Sequence, residues 1–219
     1  MSTRVFLVRH GESLWNAEGR LQGQADPPLS PRGVEQARAL AEAFRARPLA
    51  ASYTSPLARA HATATAIGAP HDLRPRVEAA LREIHLGSWQ GVKPATLHAD
   101  MRASYQVWRV DPVAVTPPGG EAARAVLARV APVLDAIVAA HPDATVVVVT
   151  HSIVGRVVLC HLLGAGLDLV PRLKLKQASI ALMRLDGDGA GLERLGDLSH
   201  LDAIAPAGDA MGAGRRGGA

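Results

Sequence analysis

The hydrophobic positions of the chain alternate between short apolar runs and longer stretches with helical spacing. Residues 4–8 contain four consecutive apolar side chains, and "ATVVVVT" at residues 144–150 contains another four. Runs without alternation are typical of strands buried on both faces of a sheet. "LAASYTSP" at residues 49–56 predicts a further short strand, and "SIALMRLD" followed by "GLERLGD" predicts a closing hairpin around "GDGAG".

Helical stretches lie between these predicted strands. At "LSPRG", Ser30 can cap the free amides of a helix and Pro31 suits its first position. Ser55-Pro56 predicts a second start of the same kind, ahead of "LARAHATATAI". A long amphipathic helix is predicted after "PPGGEA", and the helix after residue 150 is apolar nearly all round, which indicates burial. The apolar stripes of the first helix and of the long helix are Val34, Ala37, Leu40, Ala41 and Phe44, and Leu127, Val130, Leu134, Ile137 and Val138.

Strands that alternate with helices predict an α/β sandwich around a mostly parallel sheet. Residues 1–202 are expected to form a single domain. Within it, the segment from about residue 85 to 118 is irregular and contains four prolines, which predicts an inserted cap of mostly short helices over a site. Residues 203–219 consist mostly of glycine, alanine and proline, and a disordered tail is expected there.

The composition is that of a soluble globular protein. The chain has 219 residues, of which 48% are hydrophobic and 20% charged, so it can bury one sizeable core. Neither a signal peptide nor an apolar segment of membrane-spanning length is recognised. The single cysteine, Cys160, excludes an intrachain disulfide and favours a reducing, cytoplasmic location.

The net charge of +4 is compatible with an anionic partner. Nucleic-acid binding would need clustered lysines and arginines with interleaved aromatic residues, whereas aromatic residues make up only 3% of the chain. A few arginines gathered in one pocket for a small anion explain the sign of the charge equally well. The expected partner is therefore a small molecule, with neither nucleic acid nor membrane involved.

Polar side chains directly follow two of the predicted strands. Arg9 and His10 follow the first strand, and His151 follows "VVVVT" in the same way. In α/β sheets, binding sites form outside the carboxyl ends of the strands. The two histidines and the arginine are therefore expected at the same edge of one sheet.

The chemistry of these groups suits a phosphoryl group. Arginine binds phosphate oxygens through its planar fork, and helix N-termini supply further amide donors. Arg59 lies in the first turn after Ser55-Pro56, and Gly11 allows the backbone to approach a ligand closely. A neutral imidazole can act as a nucleophile. Glu83, in "LREIHLGSWQG", can supply the acid that a leaving alcohol needs.

Ordered blocks of the sequence resemble the histidine phosphatase superfamily, the phosphoglycerate-mutase-like family. The blocks span residues 4–156 and include Asn16 after the first of them. The resemblance implies a three-layer α/β/α sandwich with an inserted helical cap, and neither a metal nor an organic cofactor. The matching blocks are "LVRHGES", "RLQGQADPPLSPRGVEQA", "TSPLARAHATA", "LREIHLGSWQG", "PPGGEA" and "VVVVTHS".

The resemblance also implies roles for individual residues. His10 would be the nucleophile that carries the phosphoryl group, and Glu83 would be the general acid and then the base that activates water. Arg9, Arg59 and His151 would bind and stabilise the phosphoryl group during transfer. The substrate-binding residues that the resemblance implies are Arg9, Ser13, Asn16, Gln22, Gly23, Arg59, His151 and Ser152.

The activity that the resemblance favours is hydrolysis of a phosphomonoester of a small metabolite. Mutases of the family carry a longer lid after the acid, whereas the short "GSWQG" form resembles the phosphatase branch. Specificity is expected from the cap and from Gln22, Trp89, Tyr105 and Trp108. Ser152 stands where the family often has glycine, which bears on the fit of the substrate. The oligomeric state is not readable from the sequence.

Three alternatives stay open on the sequence alone. A phosphoglycerate mutase would use the same phosphohistidine, and a non-catalytic module could keep the fold to bind a phosphorylated partner. A metallohydrolase could use four side chains as ligands, although no H-E-x-x-H pair is present and two arginines would repel a cation. Those four candidate ligands are His10, Glu12, Asp26 and His151.

Overall fold

The structure, a computed structural model, describes residues 2–187 and 189–204. Residues 205–219, most of the tail expected to be disordered, lie outside the described residues, as does Asp188 in the turn of the predicted hairpin. The strands are β1 (Ser2–Arg9), β2 (Ala51–Thr54), β3 (Arg76–Val77), β4 (Thr145–Thr150), β5 (Ile180–Asp186) and β6 (Gly189–Asp197). The helices are α1 (Leu14–Ala17), α2 (Pro31–Phe44), α3 (Ala58–Gly68), α4 (Ala99–Val110), α5 (Ala123–Ala140) and α6 (Ser152–Leu162).

The six strands form one mixed sheet in the order β3-β2-β4-β1-β5-β6. β3, β2, β4 and β1 run parallel, and β5 pairs antiparallel with both β1 and β6. The predicted hairpin forms the antiparallel part. Helices cover both faces, so the predicted α/β sandwich is confirmed.

The lack of alternation in β1 follows from the position of this strand inside the sandwich. Val5 and Leu7 point into the core that α5 and α6 cover, whereas Phe6 and Val8 point into the core beneath α2 and α3. Successive side chains of a strand point to opposite faces, so a strand buried on both faces must be apolar throughout. β4 is apolar for the same reason.

The predicted start of α2 is confirmed, but one residue of its predicted stripe is wrong. Ser30 Oγ accepts the Gly33 amide at 3.0 Å, and Pro31 is the first helical residue. Val34 is 38% exposed. Gly33 faces the backbone of the turn after β1, and this close contact turns Val34 towards solvent. The buried residues of α2 are Gly33, Gln36, Ala37, Leu40 and Phe44.

α3 begins two residues later than the Ser-Pro pair predicted. Leu57 is its N-cap residue and makes no side-chain cap, while Ser55 Oγ accepts the Leu57 amide at 3.2 Å. The cap comes instead from a distant loop, because Asp26 Oδ1 accepts the Ala58 amide at 2.7 Å. A carboxylate at this position is favourable because the first helical amides are otherwise unpaired.

α5 and α6 pack on the other face of the sheet. The buried side of α5 runs through Val126, Val130, Leu134 and Ile137, and the predicted stripe members Leu127 and Val138 are half-buried at its border. Most of α6 is buried, as its apolar composition predicted. Among the helices of the described residues, none combines the length and apolarity that crossing a membrane would require.

The segment predicted as a cap contains α4 and two short 3₁₀ turns. Trp89 is completely buried, and its ring centroid lies 5.7 Å from that of Tyr105 and 5.8 Å from that of Trp108. The cluster belongs to the core beneath α5 and α6. Trp89 therefore anchors this segment to the sandwich.

Candidate active site

Three adjacent parallel strands bring their carboxyl ends to one edge of the sheet. Arg9 at the end of β1 is paired with Thr150 at the end of β4, and the His10 amide donates to the Thr150 carbonyl at 3.0 Å. β2 pairs with β4 on its other side and is followed by Ser55. His10, His151 and Ser55 therefore lie next to one another.

The turn after β1 packs tightly against the first turn of α2. The Gly11 amide donates to Thr63 Oγ1 at 3.1 Å. A Cβ atom at Gly11 would lie 2.7 Å from the Gly33 carbonyl oxygen, and one at Gly33 would overlap the backbone of Glu12. Close backbone contact thus requires glycine at both positions.

His10 is buried behind this turn, with 3% of its surface exposed. Its Nδ1 lies 2.6 Å from the Gly11 carbonyl oxygen, which can only accept, so the hydrogen-bond network assigns the ring hydrogen to Nδ1. Nε2 keeps its lone pair and accepts the Arg59 Nε–H at 3.3 Å. Burial, and then the charges of Arg59 and Arg9, lower the pKa of His10 well below its ordinary value. The ring is therefore neutral.

Arg59 reaches the site from the first turn of α3 and is almost fully buried. Its two Nη atoms donate to the Ala25 and Gly23 carbonyls, both at 2.8 Å. Gly23 has a φ of +55°, and a Cβ there would lie 2.9 Å from the Leu86 amide nitrogen, so glycine shapes the loop that holds Arg59. Burial lowers the pKa of Arg59 to about 10. This value is still well above neutral pH, so the guanidinium group stays cationic.

His151 lies beside His10, with the ring centroids 5.0 Å apart. Its Nε2 is 2.8 Å from Ser55 Oγ, which already accepts the Leu57 amide and can donate its own hydrogen to Nε2. The ring hydrogen is thereby assigned to Nδ1, a buried atom without a hydrogen-bond partner among the described residues. An unpaired buried donor costs about 1–3 kcal/mol, and an anionic oxygen would relieve that cost.

Arg9 completes the cationic side of the site. Its Nη1 donates to the Leu175 carbonyl at 2.7 Å, while its Nε is buried and unpaired within the described part of the chain. Burial lowers the pKa of Arg9 to about 10, although the charge of Glu83 acts in the opposite direction. Two cationic guanidinium groups therefore flank the neutral His10.

Glu83 lies at the N-terminus of α6 and is 8% exposed. Its Oε2 accepts the amides of Ser152 at 2.9 Å and Ile153 at 3.2 Å, and its Oε1 accepts those of Val154 at 3.2 Å and Ile84 at 2.9 Å. The carboxylate thus pairs the first free amides of α6. Ser152 contributes its backbone amide and has no positive φ, so serine is accommodated in place of glycine.

A cavity of about 280 Å³ opens onto these groups. Two of the residues implied by the resemblance do not line it. Ser13 is fully buried, where its Oγ caps α1 and donates to Gln22 Oε1 at 2.7 Å, and His151 is fully buried next to the His10 ring. Those that line it are Arg9, His10, Asn16, Gln22, Gly23, Arg59, Glu83 and Ser152.

Of the three aromatic residues expected to set specificity, one lines the cavity and two do not. Trp108 lines the cavity, whereas Tyr105 lines a separate surface groove and Trp89 is buried in the core. Trp89 is fully buried and packs edge-to-face on Tyr105 and Trp108, so it can influence specificity only through the residues that it supports.

A known protein family matches a region of the chain that includes the whole site. The family described as the histidine phosphatase superfamily (branch 1) matches residues 5–198. The chain belongs to this superfamily. The matched range contains every residue of the site and all six strands except the first residues of β1.

The relatives of this superfamily member include phosphatases and a mutase. Phosphoserine phosphatase 1 of Hydrogenobacter thermophilus is 33% identical over 198 residues, which cover 90% of this chain and 94% of that protein. A probable phosphoglycerate mutase of Cronobacter sakazakii is 33% identical over 213 residues, covering 92% and 96%. The structure of mycobacterial glucosyl-3-phosphoglycerate phosphatase matches with a TM-score of 0.82 and 32% identity, covering 90% of this chain and all of that one.

Three arginines that the sequence did not predict for the site also line the cavity of this superfamily member. They are Arg20, Arg109 and Arg156. The position of Arg156 was readable, because it follows Ser152 by four residues and so lies on the same face of α6. Arg20 lies in a loop and Arg109 on the cap helix α4, where nothing in the local pattern marks them.

The four candidate metal ligands do not form a cluster. Glu12 Oε1 accepts the Ser30 hydroxyl at 2.7 Å, and Asp26 caps α3 at a distance of 4.0 Å from Arg59 Nη1. Both carboxylates thus have structural partners at helix N-termini. Within residues 2–187 and 189–204, no group of three or more His, Cys, Asp and Glu side chains is arranged to hold a metal ion.

The two buried histidines should make this superfamily member less stable in mild acid. Burial holds the pKa of His10 and of His151 well below the ordinary value. Below about pH 6.5 the unfolded chain binds protons that the folded protein excludes, so each histidine lowers the free energy of unfolding by up to about 1.4 kcal/mol per pH unit. The free energy of unfolding can be measured with urea at about pH 7 and at about pH 5.5. Between these two pH values it should fall by about 1.4 kcal/mol less in His151→Gln than in the wild type.

The matched control is His61→Gln, which changes an exposed histidine of α3 and should lose as much as the wild type. The pKa values of His141 and His200 are also lowered by burial, but both residues are present in all three proteins and their contributions cancel. An equal loss in the wild type and in His151→Gln would contradict the prediction.

Proposed function

We propose that the protein hydrolyses phosphomonoesters of a small metabolite through a phosphohistidine, without a metal ion. The observation that carries this proposal is the tautomer of His10. The Gly11 carbonyl holds the hydrogen on Nδ1, so Nε2 keeps the lone pair, which accepts the Arg59 Nε–H and must exchange this hydrogen bond for the bond to phosphorus. His10, Arg9 and Arg59 all line the cavity. A neutral nitrogen held beside anion-binding groups is suited to attack a phosphorus atom.

In the first step, His10 Nε2 forms a bond to phosphorus as the ester P–O bond breaks. Arg9 and Arg59, which line the cavity beside His10, bind the phosphoryl oxygens and stabilise the charge that spreads over them. His151 is buried next to the His10 ring, and its unpaired Nδ1–H adds a donor once the phosphoryl group reaches His10 Nε2. The protonated form of Glu83 gives its proton to the leaving alkoxide, which departs as the alcohol.

In the second step, the phosphohistidine is hydrolysed. Glu83, now ionised, takes a proton from a water molecule, whose oxygen attacks phosphorus as the Nε2–P bond breaks. Inorganic phosphate leaves, and His10 and Glu83 return to their initial protonation states. The same arginines serve both steps because the phosphoryl group stays in place.

We further propose that the substrate carries a second negative charge. Arg20, Arg109 and Arg156 line the cavity in addition to the two arginines beside His10. Arg109 has no hydrogen-bond or ion-pair partner among the described residues, so its guanidinium is available to a ligand. A carboxylate fits such a fork. The names of two relatives, phosphoserine phosphatase and glucosyl-3-phosphoglycerate phosphatase, refer to substrates that carry both a phosphate and a carboxylate.

The purified protein should release inorganic phosphate from phosphomonoesters and keep this activity in EDTA. The value of kcat/KM should be about 10-fold to 100-fold higher for phosphoserine than for phosphoethanolamine, and for 3-phosphoglycerate than for glycerol 3-phosphate. The second member of each pair lacks the carboxylate, and the difference is the effect of one charged hydrogen bond. Loss of activity in EDTA that a divalent metal restores would overturn the metal-free mechanism. No turnover of any monoester would favour a phospho-ligand-binding module.

A phosphoglycerate mutase is the second candidate, favoured by the mutase relative that matches 92% of the chain. Both activities pass through a phosphohistidine and differ in what attacks it. The protein should therefore be incubated with 3-phosphoglycerate, with and without a bisphosphoglycerate primer. Release of phosphate with negligible 2-phosphoglycerate supports the phosphatase. Rapid primer-dependent formation of 2-phosphoglycerate with little free phosphate reassigns the protein as a mutase.

A further inference from the structure

An ion pair beside the site has no part in the mechanism described so far. Arg129 on α5 binds Glu121, the residue that ends the "PPGGE" stretch before this helix. Arg129 Nε lies 2.7 Å from Glu121 Oε1, and Arg129 Nη2 lies 2.9 Å from Glu121 Oε2. Both side chains are half-buried. This two-point contact fixes the plane of the guanidinium group.

The remaining hydrogen-bonding capacity of the pair goes to the backbone around Glu83. Arg129 Nη1 donates to the Ala80 carbonyl, and Nη2 donates to the Glu83 carbonyl at 3.3 Å. Glu121 Oε2 accepts the His85 amide at 3.3 Å, and the Glu121 amide donates to the His85 carbonyl at 2.8 Å. The pair therefore holds the chain before, at and after Glu83.

The segment that carries Glu83 needs such support. Only a 3₁₀ turn over Ala79–Leu81 precedes Glu83, and residues 82–86 belong to no helix or strand. Other groups hold single points of the segment: Gln24 Nε2 donates to the Glu83 carbonyl at 3.0 Å, and Thr150 Oγ1 donates to the Leu81 carbonyl at 2.8 Å. The ion pair contacts three residues of the segment and ties them to an 18-residue helix.

We infer that Glu121 and Arg129 are positioning residues for the Glu83 carboxyl group. A general acid must lie within hydrogen-bond reach of the leaving oxygen, and a displacement of about 1 Å can cost about 100-fold in rate. The amides of α6 hold the carboxylate of Glu83, and the ion pair holds the backbone from which that carboxylate extends. The inference rests on the proposed function, because it assumes that Glu83 acts as the acid.

The test compares two substrates that differ in their need for an acid. Phosphoserine has a poor alkoxide leaving group, whereas the leaving group of p-nitrophenyl phosphate needs little protonation. Arg129→Lys keeps the charge but loses the fork, and Glu121→Gln keeps the shape but loses the charge. Each should lower kcat for phosphoserine by about 10-fold to 100-fold and kcat for p-nitrophenyl phosphate by no more than about threefold.

The matched control is Arg124→Lys, the same change at an exposed position on the same helix, which should leave both rates unchanged. Thermal unfolding of each variant separates lost stability from a misplaced acid. Combining Arg129→Lys with Glu83→Gln should slow phosphoserine turnover no further than Glu83→Gln alone, because the acid that the pair positions is already absent.

The outcomes separate this inference from the proposed function. Suppose that Glu83→Gln lowers kcat selectively for phosphoserine. If Arg129→Lys and Glu121→Gln then lower kcat equally for both substrates, or for neither, only the positioning role is overturned. If Glu83→Gln itself shows no selectivity, the acid assignment fails and the positioning role fails with it. If neither Arg129→Lys nor Glu121→Gln folds, the ion pair is a structural element and the inference is overturned.

Discussion

Replacement of His10 by alanine should lower the turnover of p-nitrophenyl phosphate by about 10⁵-fold, as is typical when the nucleophile of a covalent mechanism is removed. His10 lies at the end of β1 with its ring hydrogen held by the Gly11 carbonyl, and no other imidazole in the described residues has this arrangement. His151 cannot substitute for it because His151 is fully buried and, unlike His10, does not line the cavity. The measurement is steady-state kinetics on the purified variant, with circular dichroism to show that the fold is kept.

The control for this prediction is His61→Ala, which removes an exposed imidazole and should retain full activity. Rapid quenching of the wild type with labelled substrate should trap a protein-bound phosphate that is labile in acid and stable in alkali, as expected of a phosphoramidate. His10→Ala should trap none. Substantial activity in His10→Ala, or an alkali-labile phosphoenzyme, would end the phosphohistidine hypothesis.

Replacement of Glu83 by glutamine should lower kcat for phosphoserine by about 10³-fold but kcat for p-nitrophenyl phosphate by less than about 10-fold, because proton donation matters only for the poor leaving group. Glutamine can keep an acceptor oxygen for the amides of Ser152 and Ile153 but places its NH2 group against the amides of Val154 and Ile84, so thermal unfolding of the variant must show that the fold is kept. The change removes the proton donor while keeping the size of the side chain.

The same substitution at Glu35, an exposed carboxylate on α2, serves as the control and should leave both rates unchanged. An equal loss on the two substrates in Glu83→Gln, without accumulation of a phosphoenzyme, would show that Glu83 binds substrate or supports the fold. Because Glu83 is also the proposed base, the variant can hydrolyse its phosphohistidine more slowly. If this second step becomes rate-limiting, the phosphoenzyme should accumulate with either substrate.

The parts of the site that sequence patterns predicted are those fixed by short-range rules. A buried strand that runs into Arg9 and His10, and another that runs into His151, meet at one edge because parallel strands share their direction. The start of α2 followed from Ser30 and Pro31, since a cap and its helix are adjacent in sequence. These predictions need no knowledge of distant contacts.

The parts that were missed depend on contacts between distant segments. The cap of α3 is Asp26, which lies 32 residues before the Ala58 amide that it accepts. The Glu83 carboxylate binds amides 69 to 71 residues further along the chain, and nothing in the sequence around it records this. Val34 was assigned to the core by spacing alone, whereas the backbone contact at Gly33 set the rotation of α2.

The backbone contact between Gly11 and Gly33 limits how descendants of this protein can diverge. A side chain at either position would collide with the main chain opposite, so a substitution of either glycine cannot be accommodated without a matching shift of α2. The exposed side of α4 is under no such restraint, because Arg109 meets the cavity through its side chain and Val110 is 69% exposed. After gene duplication, new substrate ranges should therefore arise by substitutions in α4, while the turn that holds His10 stays the same across the copies.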